Sequence, residues 1–117
     1  MKQEDKELLL KDLCARLPYG VILNCCDSIG EKLTSINENG LINYDYDIDE
    51  VKPYLFPLSS MTEEQYDEYT DMSYSVTERW WSMANYHQIN WLNKNHFDYR
   101  GLIEKGLAID ASNLNVY

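Results

Sequence analysis

The order of patterns along the chain predicts an α+β fold: an N-terminal helix, a small antiparallel β-meander, and C-terminal helices packed on one face of the sheet. Three observations carry that expectation. Leu10, Leu13, Cys14 and Leu17 recur at i, i+3, i+4 and i+7, the spacing of one helical face, just ahead of the helix-ending Pro18. Residues 42–49 alternate strictly, with Ile42, Tyr44, Tyr46 and Ile48 on one face and Asn43, Asp45, Asp47 and Asp49 on the other. That is the period of a strand with a single buried face. Helix-start signals then return at Thr62. With 117 residues, 44% hydrophobic and 26% charged, the chain suits one domain, 1–117, around a single core.

The first helix is expected over residues 3–16, with Leu8 and Leu9 widening its apolar stripe and Cys14 inside it as a core residue. Gly20 loosens the start of a strand over 19–26, where Val21, Ile22 and Leu23 are strong β-formers. Residues 27–30 have turn composition and residues 32–37 form a weaker strand. Asn39-Gly40 is a hairpin signal leading into the alternating strand. Pro53 and Pro57 restrict residues 51–58 to an edge strand or an extended connection, because each removes a ladder donor.

Thr62 and Gln65 form a capping box, Met61 is placed to staple onto Tyr66, and Glu63 and Glu64 suit the positive end of the following helix. A break at 72–76 precedes a second capping box, Ser75 with Glu78, opening a helix that runs to Asn95. Trp80, Ala84, His87 and Trp91 lie along one line of that helix, and Trp81, Gln88 and Leu92 along the neighbouring one. Asp98 then caps a short helix over 99–105. Gly106 closes it in left-handed geometry, and Leu107 returns onto Leu102 in a Schellman arrangement.

Twenty acids against ten bases leave a net charge of −10, and no Lys/Arg cluster breaks it up. Repulsion from phosphate therefore argues against nucleic acid or an anionic membrane as partner. No apolar run approaches the roughly 20 residues that a bilayer-spanning helix needs. Cys14, Cys25 and Cys26 form no paired framework and no secretory leader precedes them, so the expected setting is a reducing cytoplasm.

Asp45, Asp47, Asp49 and Glu50 invite a calcium-loop reading, but counting from Asp45 puts Glu50 where the loop needs Gly and Phe56 where it needs Glu. The alternation accounts for these acids as the wet face of a strand. A zinc site would have to draw on Cys14, Cys25, Cys26, His87 and His96, with no C-x-x-C pair, and adjacent strand residues such as Cys25 and Cys26 point to opposite faces. His96 and Asp98 fit either an oriented acid–base pair or, more commonly, caps for the flanking helices. No phosphate loop or nucleophile elbow is present. No catalytic residue, metal ligand or cofactor is assigned.

Three phrases, LCARLPYGV, VKPYLFPLSSMTEE and WLNKNHFDYRGLIEKGLAID, resemble a family of small uncharacterised proteins encoded by phages and prophages of gut anaerobes. Residues 21–49 match that family less well. The resemblance implies a phage or mobile-element origin and action inside the host cell, and it brings no activity or catalytic residues with it.

The leading functional expectation is a non-enzymatic protein-binding module that docks on a host or phage protein with a basic surface, inhibition of a host protein being one such role. Between Asp45 and Asp71 nine acids meet one base, Lys52, and four tyrosines are interleaved. Opposite charge speeds encounter, and the rings supply contact area. Candidate contact residues are Asp45, Asp47, Asp49, Tyr54, Glu63, Glu64, Asp67 and Glu68. The plain alternative is a solvated face that keeps the protein dissolved. A second class of function is a small-molecule-binding protein with an aromatic pocket drawn from Trp80, Trp81, Tyr86, His96, Tyr99 and Arg100. A metal-dependent enzyme ranks third.

Overall fold

Helix α1 spans Gln3–Arg16, as the spacing predicts, with Glu4 and Asp5 in its first turn and Arg16 in its last, each complementing the helix dipole. The computed structural model describes residues 1–25, 28–72 and 86–117. The buried face of α1 is Leu9, Asp12, Leu13 and Arg16. Cys14 is exposed, which corrects its expected core role. Asp12 and Arg16, one turn apart, neutralise each other, so charged residues occupy the i+3 and i+7 places of the inner face and Cys14 is turned outward.

The architecture is α+β, with a mixed sheet. Strand β1 (Ile22–Cys25) pairs antiparallel with β2 (Ser28–Lys32) and with β3 (Val51–Pro57). Strands β4 (Phe97–Asp98) and β5 (Ile109–Asp110) each pair parallel with β3. The expected antiparallel meander is not formed: β1 lies between β2 and β3, and the C-terminal third adds two strands parallel to β3. Leu17–Tyr19 is a single 3₁₀ turn ended by Gly20 at φ 66°, so β1 starts at Ile22 and not at residue 19. Residues 28–30, expected as turn, are strand. Gly30 at φ 83° is the extra residue of a bulge, since Leu23 pairs with Glu31 and Asn24 with Ile29.

Strand β3 is interior, not the expected edge. Its prolines are tolerated because no one neighbour runs its length. Pro53 is the last residue paired with β1 and Pro57 the last paired with β4, so each missing donor falls at the end of a ladder.

The alternating segment 42–49 is not a strand. Asn43 and Tyr44 are left-handed, at φ 52° and 64°, and Ile42 bridges Tyr46 across the turn. The Asn43 side chain overrides the alternation. Its Oδ1 accepts from Thr34 N (2.8 Å) and Ser35 N (3.2 Å), and its Nδ2 donates to Lys32 O (2.8 Å). Ile42 is buried, and Tyr46 and Ile48 pack on the core, but Tyr44 is 72% exposed. Of the weaker strand expected over 32–37, Lys32 ends β2 and Ile36 bridges Ile42. The turn at Asn39-Gly40 is present, with Gly40 N donating to Asn37 O (2.9 Å).

Helix α2 (Glu63–Asp71) starts in the expected capping box: Gln65 N donates to Thr62 Oγ1 (3.1 Å) and Thr62 N to Gln65 Oε1 (2.8 Å). Helix α3 covers Tyr86–Lys94. The expected break after Met72, the Ser75–Glu78 box and the Trp80-Trp81 pair lie outside the described residues. His96, at φ 63°, turns the chain from α3 into β4, with His96 N donating to Asn93 O (3.2 Å).

Residues 99–105 do not form the expected helix, because Gly101 at φ 75° breaks its start. The capping and closure survive without it. Asp98 carboxylate oxygens accept from Leu102 N and Ile103 N, both at 2.9 Å. Gly106 is left-handed, Gly106 N donates to Ile103 O (3.1 Å) and Leu107 N to Leu102 O (2.9 Å), the bond pair of a Schellman closure. Leu102 and Leu107 both join the main core, formed with Leu9 and Leu13 of α1, Leu23 of β1 and Leu55 of β3. A second apolar cluster, Trp91, Leu92 and Phe97 with Phe56, Met61 and Tyr69 against it, lies under α2 and α3.

Candidate functional site

A groove of about 560 Å³ opens over the second cluster. Helix α2 contributes Glu63, Tyr66 and Tyr69, spaced three apart on one face, and the segment ahead of it contributes Leu58, Met61 and Thr62. Helix α3 contributes Ile89 and Leu92, and Tyr99 completes the lining. The two helices are tied across the cluster: Trp91 Nε1 donates to Glu68 Oε1 (2.8 Å) and Gln88 Nε2 to Tyr69 O (3.0 Å). Burial, and then the neighbouring Tyr66, raise the Tyr69 hydroxyl pKa above its ordinary value.

Tyr99 is held from beneath by a polar hub. Asp12 Oδ2 accepts from Arg16 Nε (2.7 Å) and Asp12 Oδ1 from Arg100 Nε (3.0 Å). Arg16 Nη2 donates to Phe97 O (2.6 Å), linking α1 to β4. The Tyr99 hydroxyl accepts from Arg100 Nη2 (3.0 Å) and donates to Asn93 Oδ1 (2.9 Å), while both guanidiniums lie over its ring, at 5.4 Å for Arg16 and 4.8 Å for Arg100. Neither Asp12 nor Arg16 touches solvent. A buried guanidinium needs a carboxylate partner to offset its desolvation, and Asp12 supplies one to two arginines.

A third feature is aromatic. The Tyr117 ring stacks on His96 at 3.9 Å and 13°, and lies tilted against Phe56 at 5.7 Å. Its hydroxyl accepts from Ile22 N (2.9 Å) and donates to Tyr54 O (2.8 Å). Burial pushes this hydroxyl up to about 12, against the backbone bond from Ile22 and the Arg16 charge. Burial, then Arg16, lower His96 to about 4, so its ring is neutral near pH 7. The buried His96 Nδ1 has no hydrogen-bond partner among the described residues.

The structure separates the residues singled out in the sequence. Of the candidate contact residues, Glu63 lines the groove, and Glu64, Asp67 and Glu68 are exposed on α2. Asp47 and Asp49 line a different depression, against Gln3, Lys6 and Glu7 of α1, and Asp45 is exposed in the turn before them. Tyr54 is corrected: it is 4% exposed within β3, so it offers no surface to a partner. Of the pocket candidates, Tyr99 and Arg100 meet at the hub, His96 lies with Tyr117, and Tyr86 is 75% exposed at the start of α3. Trp80 and Trp81 lie outside the described residues. Leu58 and Ile89 in the groove, and Asp12, Arg16 and Asn93 in the hub, are not marked by any sequence motif, and Met61 is marked only as a staple for Tyr66. The i, i+4 spacing of Asp12 and Arg16 was the available signal.

Among the described residues, no three His, Cys, Asp or Glu side chains converge as a metal site, and no helix is long and apolar enough to cross a membrane. Comparison with protein-family models, with curated proteins and with solved structures finds no match for this chain.

Proposed function

We propose that the protein is a non-enzymatic binding module that receives an apolar, basic segment of a partner protein in the groove between α2 and α3. The observation that carries this reading is the groove's composition. Its floor is aliphatic and aromatic, Glu63 stands in its wall, and α2 adds Glu64 and Asp67 as exposed acids. A partner helix with apolar residues at i, i+3 and i+4 and Lys or Arg beside them matches both floor and rim. The hub supports this use by holding Tyr99 rigidly in the lining.

A peptide suits the groove better than a small ligand does. A small-ligand site needs a few convergent polar groups to orient its occupant. Here the Thr62 hydroxyl is engaged in the capping box and the Tyr99 hydroxyl with Asn93 and Arg100, and the other polar groups of the lining, Glu63, Tyr66 and Tyr69, all come from the one helix α2 and do not converge from opposite sides. The resemblance of the chain's ends and middle to phage-encoded proteins supports a bacterial host protein as the partner; inhibition of that protein is the outcome proposed for docking.

Tyr66 and Tyr44 allow a controlled test, being 59% and 72% exposed at separate places. A photo-crosslinking residue replaces one or the other, and the protein is expressed in a bacterial host. Capture of one basic protein through position 66 and not through position 44, lost on Glu63→Lys with Glu64→Lys, is the expected result. The same set of proteins captured from both positions would sink the proposal.

A further inference from the structure

In the β1–β3 ladder Leu23 faces Pro53, so the next antiparallel rung is Ile22 opposite Tyr54. The Tyr117 hydroxyl occupies that rung, accepting from Ile22 N and donating to Tyr54 O. Both polar functions of a phenol are thereby matched by backbone groups of opposite sense. His96 supplies a parallel platform for the ring and Phe56 a tilted wall. This is a complete set of contacts for a phenol: stacking, an apolar side, one donor and one acceptor.

The tail that delivers Tyr117 is otherwise lightly held. Residues 112–115 are exposed, and Leu114 N bonds back to Ala111 O at the buried base of the tail. Among the described residues, the hydrogen bonds that tie 113–117 to anything before Ala111 are the two at the Tyr117 hydroxyl. Tyr117 itself is 46% exposed, and a depression of about 470 Å³ beside it, walled by Phe56, His96, Lys94 and Gln65, leads to the ring from solvent. A ring fixed at its hydroxyl and carried on a loose tether is the arrangement of an exchangeable ligand.

We propose that Ile22 N, Tyr54 O, His96 and Phe56 form a phenol-binding site that the chain's own Tyr117 fills as an intramolecular occupant, and that a para-substituted phenol from another source binds there when the tail leaves. A free phenol and a tyrosine side chain of a peptide share this chemistry. The site is separate from the α2–α3 groove and does not depend on how that groove is used.

The test uses the full chain carrying Tyr117→Ala, titrated with p-cresol, with toluene, and with a hexapeptide of residues 112–117, following the Ile22 amide and the His96 ring by NMR. Saturable binding of p-cresol is expected, with toluene roughly tenfold weaker or worse because it lacks the hydroxyl's two hydrogen bonds. Binding of the hexapeptide more tightly than p-cresol identifies a peptide tyrosine as the better occupant; p-cresol alone identifies a small phenol. Toluene binding as well as p-cresol, or no ligand shifting Ile22 and His96, overturns the proposal. If Tyr117→Ala does not fold alone, p-cresol but not toluene restores its folded spectrum, and failure to do so overturns the proposal equally. Tyr117→Phe gives an independent reading. It keeps the ring and removes the hydroxyl, so hydrogen exchange at Ile22 accelerates roughly tenfold or more relative to Leu23; unchanged exchange counts against the site.

Discussion

Arg16 Nε lies 2.7 Å from Asp12 Oδ2, one helical turn away, and both side chains are sealed from solvent. Because Asp12 also accepts from Arg100, two cations share one anion. Removing the anion and removing the inner cation are therefore unequal changes. Asp12→Asn leaves two guanidiniums facing a neutral group, one of them wholly buried, and should cost about 3–5 kcal/mol. Arg16→Met leaves Asp12 paired with Arg100 and discards a cation whose Nη1 already lacks a partner among the described residues, so it should cost clearly less. Urea melts of both variants check the order, and a larger loss for Arg16→Met would refute this account of the hub.

Gly106 tests the closure that brings Leu107 back onto Leu102. A β-carbon there would meet nothing within 4 Å, so the cost of a side chain is purely conformational, arising from φ of 75°. Gly106→Ala is expected to destabilise by about 1 kcal/mol and Gly106→Asn by less, since Asn enters the left-handed region more readily. Thermal melts in which Ala matches or exceeds the wild type would show that the turn does not need this geometry.

Local signals were legible where one residue's backbone chemistry decides the outcome. The Thr62–Gln65 box, the Asn39-Gly40 turn and the Gly106 closure all stand as the sequence predicts. Patterns failed where a side chain took over a backbone role or charges entered the core. Residues 42–49 have a strand's alternation, but the Asn43 amide makes the bonds a neighbouring strand would have made. Asp12 and Arg16 carry charges that an apolar pattern does not count, and their pairing explains why they lie inside. The groove assembles from three separated segments, so its apolar residues carry no common periodicity. The Tyr117 site joins positions 95 residues apart, a separation no local pattern records.

Tyr44 separates the two descriptions of that segment. As a strand residue it would face the core and reject any polar replacement. In the structure it is exposed and left-handed at φ 64°, a conformation costly for a bulky side chain. Tyr44→Asn should leave stability unchanged or raise it by a few tenths of a kcal/mol, whereas Ile42→Asn, at a fully buried position, should cost about 2–4 kcal/mol. Equal losses in chemical denaturation would restore the strand.

His96 sets a pH dependence whose direction follows from its surroundings. Burial, and secondarily the Arg16 charge, lower its pKa from 6.5 to about 4 in the folded protein. The unfolded chain takes up the proton near the ordinary value, so between those two values it binds more protons than the folded one. Stability from this group is therefore full above about pH 6.5, falls as pH is lowered towards 4, and changes no further below it. Part of the ring meets solvent, and with that screening the loss should be on the order of 1–2 kcal/mol. Carboxylates titrate in the same region, so the comparison needs a variant that lacks only the imidazole. His96→Asn keeps a residue tolerant of the φ of 63° found there. Melts from pH 7.5 to 4 should show wild type losing more stability than His96→Asn, with the gap opening between pH 6.5 and 4; parallel profiles would mean that His96 takes up its proton as readily folded as unfolded.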